Sequence, residues 1–307
     1  MLVKIGNKKL DFNPDVICWQ HQSSPLTRFG VWSSDSGPIF VKRFSEKPAG
    51  WDLLKTIKGK KLHNTPTVLA LFEGKKEYFA FFEWLQGEIL SQILQKGKTK
   101  EFFGVEGLQI EQKNHLIISI YGTFSNLHRL EFWYPDLDFK NVFISPSKSG
   151  FRACLIDLDS CVGFGEPALP DQVSQRYWEG LITTYKEAGK PFLKKGLNEF
   201  HRDISAHGRS LNQSMLLLFA YAIQRIGKVP PEAPLFSPMI SPQNPISKEV
   251  RRLHKGWSGN QNLEKDLHIW LANHLKITPG ELTNITSRLT PSFPTGIRSF
   301  FSRWLGN

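Results

Sequence analysis

The pattern of apolar residues changes near residue 87, and this change constrains the fold more than any other feature of the sequence. Before that point, short runs of β-branched and aromatic residues alternate with turn-forming segments, which is typical of antiparallel strands. We predict strands at Val16–Trp19, Phe29–Trp32 and Pro38–Phe44, with Ser33–Gly37 as the hairpin turn between the last two.

A helix and a second hairpin complete the first part of the chain. Trp51–Lys61 carries apolar residues on one side at helical spacing, so we predict a helix there. Thr67–Phe72 and Glu77–Phe82 are strand-like runs separated by Glu73–Lys76, which predicts a second hairpin. The first part of the chain is therefore predicted to form a small antiparallel sheet that carries one helix.

The rest of the chain is mainly helical in pattern. Apolar residues at helical spacing predict helices over Asn114–Leu130 and around Asp203–Ile226, with two short strands between them at Asn141–Ser145 and Ala153–Asp157. Beyond these elements, a Pro-rich connection covers residues 228–247, and the sequence becomes helical and basic again to its last residue.

The predicted fold class is α+β, with three segments. Residues 1–86 form the sheet-containing unit, residues 87–227 form a larger and mainly helical unit, and residues 228–307 add the Pro-rich connection and a basic helical part. The hydrophobic fraction of 40% supplies enough apolar surface for a packed core, which excludes a wholly disordered chain.

Cysteine content and hydropathy exclude two further classes of protein. The three cysteines, Cys18, Cys154 and Cys161, contain no C-x-x-C pair, so neither a disulfide framework nor a cysteine-based zinc module is predicted. We interpret Cys154 and Cys161 as small buried hydrophobic residues in a reducing, cytoplasmic setting. The longest apolar run, Met215–Ile223, is shorter than the ~20 residues that a membrane-spanning helix needs.

The net charge of +11 admits three kinds of anionic partner: nucleic acid, a membrane surface, or a polyanionic substrate such as a nucleotide. Nucleic acid is disfavoured, because Lys and Arg are scattered and no nucleic-acid-binding motif is present. The segment Gly296–Leu305 places apolar residues beside Arg298 and Arg303. It either lies on an anionic membrane surface or docks as a C-terminal helix on the core, and we favour the second interpretation.

Two groups of polar residues occur where apolar elements end. Asp136 and Asn141 lie five residues apart in a segment between a predicted helix and a predicted strand. Asp157 and Asp159 follow the next predicted strand. In order and spacing, Asp136-x-x-x-x-Asn141 and Asp157-Leu-Asp159 resemble the catalytic loop and the D-F-G segment of the protein-kinase-like superfamily.

The resemblance implies a bilobal fold, with a small antiparallel-sheet N-lobe carrying one helix and a larger, mainly helical C-lobe. It also implies transfer of the γ-phosphoryl group of ATP to a hydroxyl, assisted by Mg²⁺. Asp136 would orient that hydroxyl and accept its proton, and Lys42 would hold the α- and β-phosphates. Asn141, Asp157 and Asp159 would be the metal ligands. His128, just before this loop, is interpreted as a packed residue and not as a catalytic base.

Further positions match the superfamily along residues 10–225. The backbone from Glu83 to Leu85 would meet the adenine edge, and Ser23 and Ser24 would cradle phosphate in the loop between the first two strands. Asp203 resembles the aspartate that opens the central C-lobe helix, and it would bond the backbone of the catalytic loop.

The sequence also departs from the superfamily pattern. The loop that holds Ser23 and Ser24 is not glycine-rich, and the predicted helix offers only Asp52 as a partner for Lys42. We favour an exposed helix charge for Asp52. Asp159 occupies the glycine position of D-F-G, and this ending is similar to the lipopolysaccharide Kdo/heptose kinase family.

The second resemblance implies a sugar hydroxyl of an anionic glycolipid as acceptor, with a peripheral position at the inner membrane surface. Two alternatives remain. The first is an atypical protein Ser/Thr kinase. The second, from another class, is a pseudokinase that acts as a nucleotide-binding or interaction scaffold.

Overall fold

The computed structural model describes residues 1–21, 26–147, 150–164, 166 and 263–288, together with individual positions between 212 and 226. These residues form a mixed α+β structure with several small antiparallel sheets and a few helices, which confirms the predicted fold class at that level. The Pro-rich connection, Asp203 and the Gly296–Leu305 segment lie outside the described residues.

The described elements alternate between strands and helices in chain order. The strands are β1 (Leu2–Ile5), β2 (Lys8–Asp11), β3 (Gln20–His21), β4 (Thr27–Ser34), β5 (Gly37–Phe44), β6 (Val68–Glu73), β7 (Tyr78–Glu83), β8 (Glu88–Ile89), β9 (Phe132–Trp133), β10 (Val142–Ser147), β11 (Gly150–Leu155) and β12 (Val162–Gly163). The helices are α1 (Trp51–Ile57), α2 (Leu90–Gln95), α3 (Thr99–Phe103), α4 (Ile110–Arg129), α5 (Leu263–Leu275) and α6 (Pro279–Arg288).

The largest sheet has five antiparallel strands in the order β3-β4-β5-β7-β6. Both predicted hairpins are confirmed, since β4 pairs with β5 and β6 pairs with β7. Side chains alternate between the two faces of each strand. In β5, Phe40 and Phe44 face the core shared with α1 and α4, and Ile39 and Val41 face a second core. Lys42 lies between the two phenylalanines and therefore points toward the first core.

The second core is closed by the hairpin of β1 and β2, which covers the opposite face of the sheet. Phe12 lies at its centre. It makes edge-to-face contacts with Trp32, Phe79 and Phe81, at ring-centroid distances of 5.0, 5.6 and 5.0 Å. The sheet is consequently buried on both faces, which fixes the position of β5 from two sides.

One predicted strand is wrong. Val16–Trp19 does not form a strand, because a 3-10 turn occupies Pro14–Val16 and the next strand is β3. The Asn13 side chain caps this turn by accepting from the Asp15 N–H at 3.0 Å. Pro14 has no N–H to donate to a sheet and favours the first position of such a turn.

Helix α4 forms the centre of the mainly helical part and packs against β9 and β11. Its predicted span of Asn114–Leu130 is close to the observed one. Helices α5 and α6 lie within the region predicted to be helical and basic. Between 212 and 226, the described positions are largely helical and buried, as predicted for the long apolar helix. None of the helices in the described ranges is long and apolar enough to cross a membrane.

The chain passes from the five-stranded sheet to the helical part at Gly87. This residue has φ +147, and a Cβ there would lie 1.9 Å from the carbonyl oxygen of Ile144 in β10. Only glycine permits this close approach. It allows β8 to pair with β10, which in turn pairs with β11 in a three-stranded sheet. The change of sequence pattern near residue 87 thus coincides with the end of the five-stranded sheet.

Candidate active site

A cleft of about 470 Å³ lies between the five-stranded sheet and the loops that flank β10 and β11. Apolar side chains form most of its walls, and several charged or amide groups converge at one end. The apolar residues include Phe29, Phe40, Phe82, Ile89, Phe143 and Ile156, and the polar residues include Lys42, Asp136, Lys140, Asn141, Asp157 and Asp159. A mostly apolar cavity with a few convergent polar groups is the usual form of a small-molecule site.

Lys42 is the most deeply buried charge in the cleft, with only 3% of its surface exposed. Its Nζ lies 2.6 Å from Oδ1 of Asp157 and 2.7 Å from Oδ1 of Asp159. Burial by itself lowers the pKa of Lys42, but the two carboxylates outweigh burial and raise that pKa well above 10.5. Lys42 is therefore charged at all physiological pH values and is fixed at the end of the cleft.

The turn that follows β11 presents both carboxylates. Asp157 has a left-handed backbone with φ +61, which is uncommon for a residue other than glycine. Ser160 stabilises this turn, because its N–H and Oγ donate to the carbonyl oxygen of Asp157 at 3.0 and 2.8 Å. Burial raises the pKa of Asp159, and the neighbouring Lys42 counteracts that effect. Backbone strain of this kind is concentrated at functional sites.

Asp136 and Asn141 are held together within one loop. The Asn141 Nδ2 donates to both the backbone oxygen and Oδ2 of Asp136, each at 2.8 Å. Lys140 Nζ lies 3.2 Å from the same Oδ2. The other carboxylate oxygen of Asp136, Oδ1, is buried and accepts no hydrogen bond from any residue that the structure describes. Burial raises the pKa of Asp136, and the neighbouring Lys140 and Asn141 counteract that effect.

The amide of Asn141 is oriented by these bonds. Because Nδ2 is committed to Asp136, Oδ1 is the atom left to contact a ligand. The Asn141 backbone oxygen accepts from Ile156 N–H at 3.0 Å, which brings the loop beside Asp157. The described residues contain no group of three or more His, Cys, Asp or Glu side chains placed to hold a metal.

Tyr134 and Asn212 fix this loop, and the sequence interpretation missed both roles. The Tyr134 N–H donates to Asn212 Oδ1 at 2.8 Å, and Asn212 Nδ2 donates to the Tyr134 carbonyl oxygen. The Tyr134 hydroxyl donates to Ile156 O at 2.9 Å, which links the loop to the strand before Asp157. The predicted anchor, Asp203, lies outside the described residues. The available sequence signal for Asn212 was its position just before the apolar run Met215–Ile223.

The opposite end of the cleft is lined by Glu83 and Leu85, the residues predicted to meet the adenine edge. The Glu83 N–H already donates to Thr67 O at 2.9 Å, so it is not available to a ligand. The Glu83 carboxylate accepts from Thr67 Oγ1 at 2.8 Å and lies 3.5 Å from Arg152. The N–H of Leu85 donates to no described residue, so it is available as a donor at this edge. Ser23 and Ser24 lie outside the described residues.

Asp52 is not a partner of Lys42. It is 60% exposed on α1 and forms an ion pair with Lys47 at 3.2 Å, so the interpretation as an exposed helix charge is confirmed. The interpretations of His128, Cys154 and Cys161 are also confirmed as packed, buried residues. The carboxylate that pairs with Lys42 in addition to Asp157 is Asp159.

No protein-family model matches the sequence of this chain, and no curated protein matches it either. The function of the cleft therefore has to be inferred from its own geometry.

Proposed function

We propose that the protein is an ATP- and Mg²⁺-dependent phosphotransferase with a bilobal protein-kinase-like fold, which moves the γ-phosphoryl group to a hydroxyl. The observation that carries this proposal is the convergence of four polar residues in one cleft. Lys42 from β5 meets Asp157 after β11, 115 residues further along the chain. Asp136 and Asn141 line the same cavity. Phosphoryl transfer requires this combination of cation, base and hard oxygen ligands.

The residues present fit a magnesium ion. Asn141 Oδ1 and the carboxylate of Asp157 would hold it, because Mg²⁺ in nucleotide sites takes one or two protein oxygens and completes its shell with phosphates and water. When bound, the ion neutralises the phosphate oxygens. The protein supplies the fixed orientation of Asn141, whose Nδ2 is held by Asp136.

Asp136 acts as the base in this proposal. Its Oδ1 accepts the proton of the acceptor hydroxyl, while Asn141 and Lys140 hold Oδ2 at 2.8 and 3.2 Å. A carboxylate fixed through one oxygen presents the other at a constant position, which is what alignment of the attacking oxygen requires. Lys42 holds the α- and β-phosphates. The apolar walls of the cleft and the Leu85 N–H bind the adenine ring of ATP.

For the acceptor, we propose a sugar hydroxyl of lipopolysaccharide core or a similar anionic glycolipid, reached from the cytoplasmic side of the inner membrane. The net charge of +11 favours an anionic acceptor. A protein Ser or Thr hydroxyl is the alternative acceptor. The discriminating experiment supplies radiolabelled ATP and Mg²⁺ to the purified protein with glycolipid and protein acceptors in separate reactions.

Asp136→Ala and Asp157→Ala are expected to abolish transfer in that assay. Loss of a positioned base alone typically costs ~10²–10⁴-fold in rate. Asp52→Asn, which removes an exposed carboxylate outside the cleft, is the matched control and should retain full activity. Wild-type activity in either purified alanine variant would refute the assigned roles.

A scaffold that binds nucleotide without catalysis is the second candidate. This candidate is favoured by the two ion pairs of Lys42, because Asp157 and Asp159 already occupy the amine that would bind the phosphates. Thermal denaturation separates the candidates in two steps. Mg·ATP at 100 times its Kd should stabilise the fold by ~2.7 kcal/mol. Stabilisation without transfer to any acceptor would favour the scaffold, and transfer would exclude it.

A further inference from the structure

Lys42 has two carboxylate partners from one turn and none from α1. Its Nζ lies at nearly equal distances from Asp157 and Asp159, 2.6 and 2.7 Å. One cation between two carboxylates leaves the cluster with an excess of one negative charge. An added cation would draw one carboxylate away from Lys42, and the other must then hold the amine alone.

The structure distinguishes the two carboxylates by their surroundings. Asp159 is the more enclosed, with 12% of its side chain exposed. Its main chain is anchored to the start of α1, because the Gly50 N–H donates to the Asp159 carbonyl oxygen at 2.8 Å. A Cβ at Gly50 would lie 2.2 Å from the carbonyl oxygen of Leu158, so the close approach depends on glycine. Asp159 is thus tied to β5 through its side chain and to α1 through its backbone.

Asp157 lies next to Asn141 instead. The hydrogen bond from Ile156 N–H to the Asn141 carbonyl oxygen places the residue before Asp157 against the loop that carries Asn141. The side chains of Asn141, Asp157 and Asp159 all line the cleft, so the backbone contact at Ile156 is what distinguishes the two carboxylates. Of the two carboxylates, Asp157 is therefore the one placed to share a cation with Asn141.

We propose that Asp159 is a positioning residue that holds Lys42 for the nucleotide phosphates, and that it is not a metal ligand. As a role in nucleotide binding, this inference rests on the proposed function. Asp157 releases Lys42 when the cation binds, and Asp159 keeps the amine in place. The start of α1 contributes to this arrangement through the Gly50 N–H, which holds the backbone of Asp159. No carboxylate of α1 pairs with Lys42.

The test compares Asp159→Asn with Asp52→Asn, a matched removal of one carboxylate from α1. Two activity constants are measured for each: the KM for ATP at saturating Mg²⁺, and the Mg²⁺ concentration for half-maximal activity at saturating ATP. A third measurement needs no activity. It is the rate at which cyanate carbamylates Lys42, followed by mass spectrometry of the free protein.

Asp159→Asn is expected to raise the KM for ATP at an unchanged Mg²⁺ requirement and to accelerate carbamylation of Lys42. In the variant, Nζ of Lys42 keeps its 2.6 Å contact with Asp157 and loses its 2.7 Å contact with Asp159, so the amine is held less firmly and reacts faster. Asp52→Asn should match the wild type in all three measurements. A raised Mg²⁺ requirement at an unchanged KM for ATP would overturn the inference and make Asp159 a metal ligand.

A second variant keeps the test valid if Asp159→Asn does not fold. Gly50→Ala retains every carboxylate and displaces the Leu158–Ser160 turn, so it should also accelerate carbamylation of Lys42; an unchanged rate in a folded variant would contradict the inference. Failure of the proposed function gives a different result. In that case no phosphate is transferred by the wild type, while Asp159→Asn still changes the carbamylation of Lys42.

Discussion

Replacing Asn212 with Ala removes the side chain that holds the Tyr134 backbone. Asn212 is fully buried, and its amide satisfies both the N–H and the carbonyl oxygen of Tyr134. In the variant, these two backbone groups lose their partner in a place that water does not reach. A buried unsatisfied polar group costs ~1–3 kcal/mol, so the expected loss in the free energy of unfolding is ~2–6 kcal/mol.

Tyr134→Phe is the reference variant against which the loss in the free energy of unfolding is compared. It removes a single hydrogen bond, from the Tyr134 hydroxyl to Ile156 O, and keeps the ring packed. A net loss of ~0.5–1.5 kcal/mol is expected for one such bond. Urea unfolding followed by tryptophan fluorescence measures both variants on the same scale. The reasoning is refuted if Asn212→Ala unfolds with a loss equal to or smaller than that of Tyr134→Phe.

The same comparison has a consequence for activity. The Tyr134 backbone leads directly into Asp136, so a loop released from Asn212 no longer presents Asp136 at a fixed position. We expect kcat to fall in Asn212→Ala at temperatures where the variant remains folded, with a smaller change in the KM for ATP. A variant that is folded and fully active would show that the anchor has no part in positioning the base.

Two further predictions concern the junction and the base. Gly87→Ala places a Cβ 1.9 Å from Ile144 O at φ +147, which adds strain of ~1–3 kcal/mol to the folded state. The thermal unfolding temperature should therefore fall, and an unchanged temperature would contradict the close approach. Burial raises the pKa of Asp136 while Lys140 lowers it, so the base is lost as pH falls through a value above 3.8. Lys140→Met should therefore move the acid limb of the kcat–pH profile to higher pH, whereas Lys55→Met, which removes an exposed charge paired with Glu73, should leave the limb in place.

Local patterns predicted the strands and hairpins well, because alternation and turn residues act over a few neighbouring positions. The hairpins of β4 with β5 and of β6 with β7 follow directly from such patterns. The error at Val16–Trp19 has a local cause of another kind. The Asn13 cap and Pro14 stabilise a 3-10 turn in a run whose composition favours a strand. Side-chain capping competes with strand pairing and is not visible in β-propensity.

The packing of the hairpin of β1 and β2 on the five-stranded sheet was not predictable in the same way. The packing of β1 and β2 over Trp32, Phe79 and Phe81 depends on contacts between distant segments. Phe12 becomes the centre of a core only when the hairpin of β1 and β2 lies on the sheet. Burial of this kind is a property of the assembled layers.

The sequence by itself predicted two pairs of polar residues in the cleft, because Asp136 and Asn141 share one short loop and Asp157 and Asp159 share one turn. Spacing determines which side chains are neighbours only within such segments. The tertiary structure decided the pairings between segments. It gave Lys42 a partner 117 residues away in Asp159, although Asp52 was nearer in sequence. It also gave the Tyr134 backbone a partner 78 residues away in Asn212. A buried charge or backbone group binds whichever complementary group the fold brings within hydrogen-bonding distance.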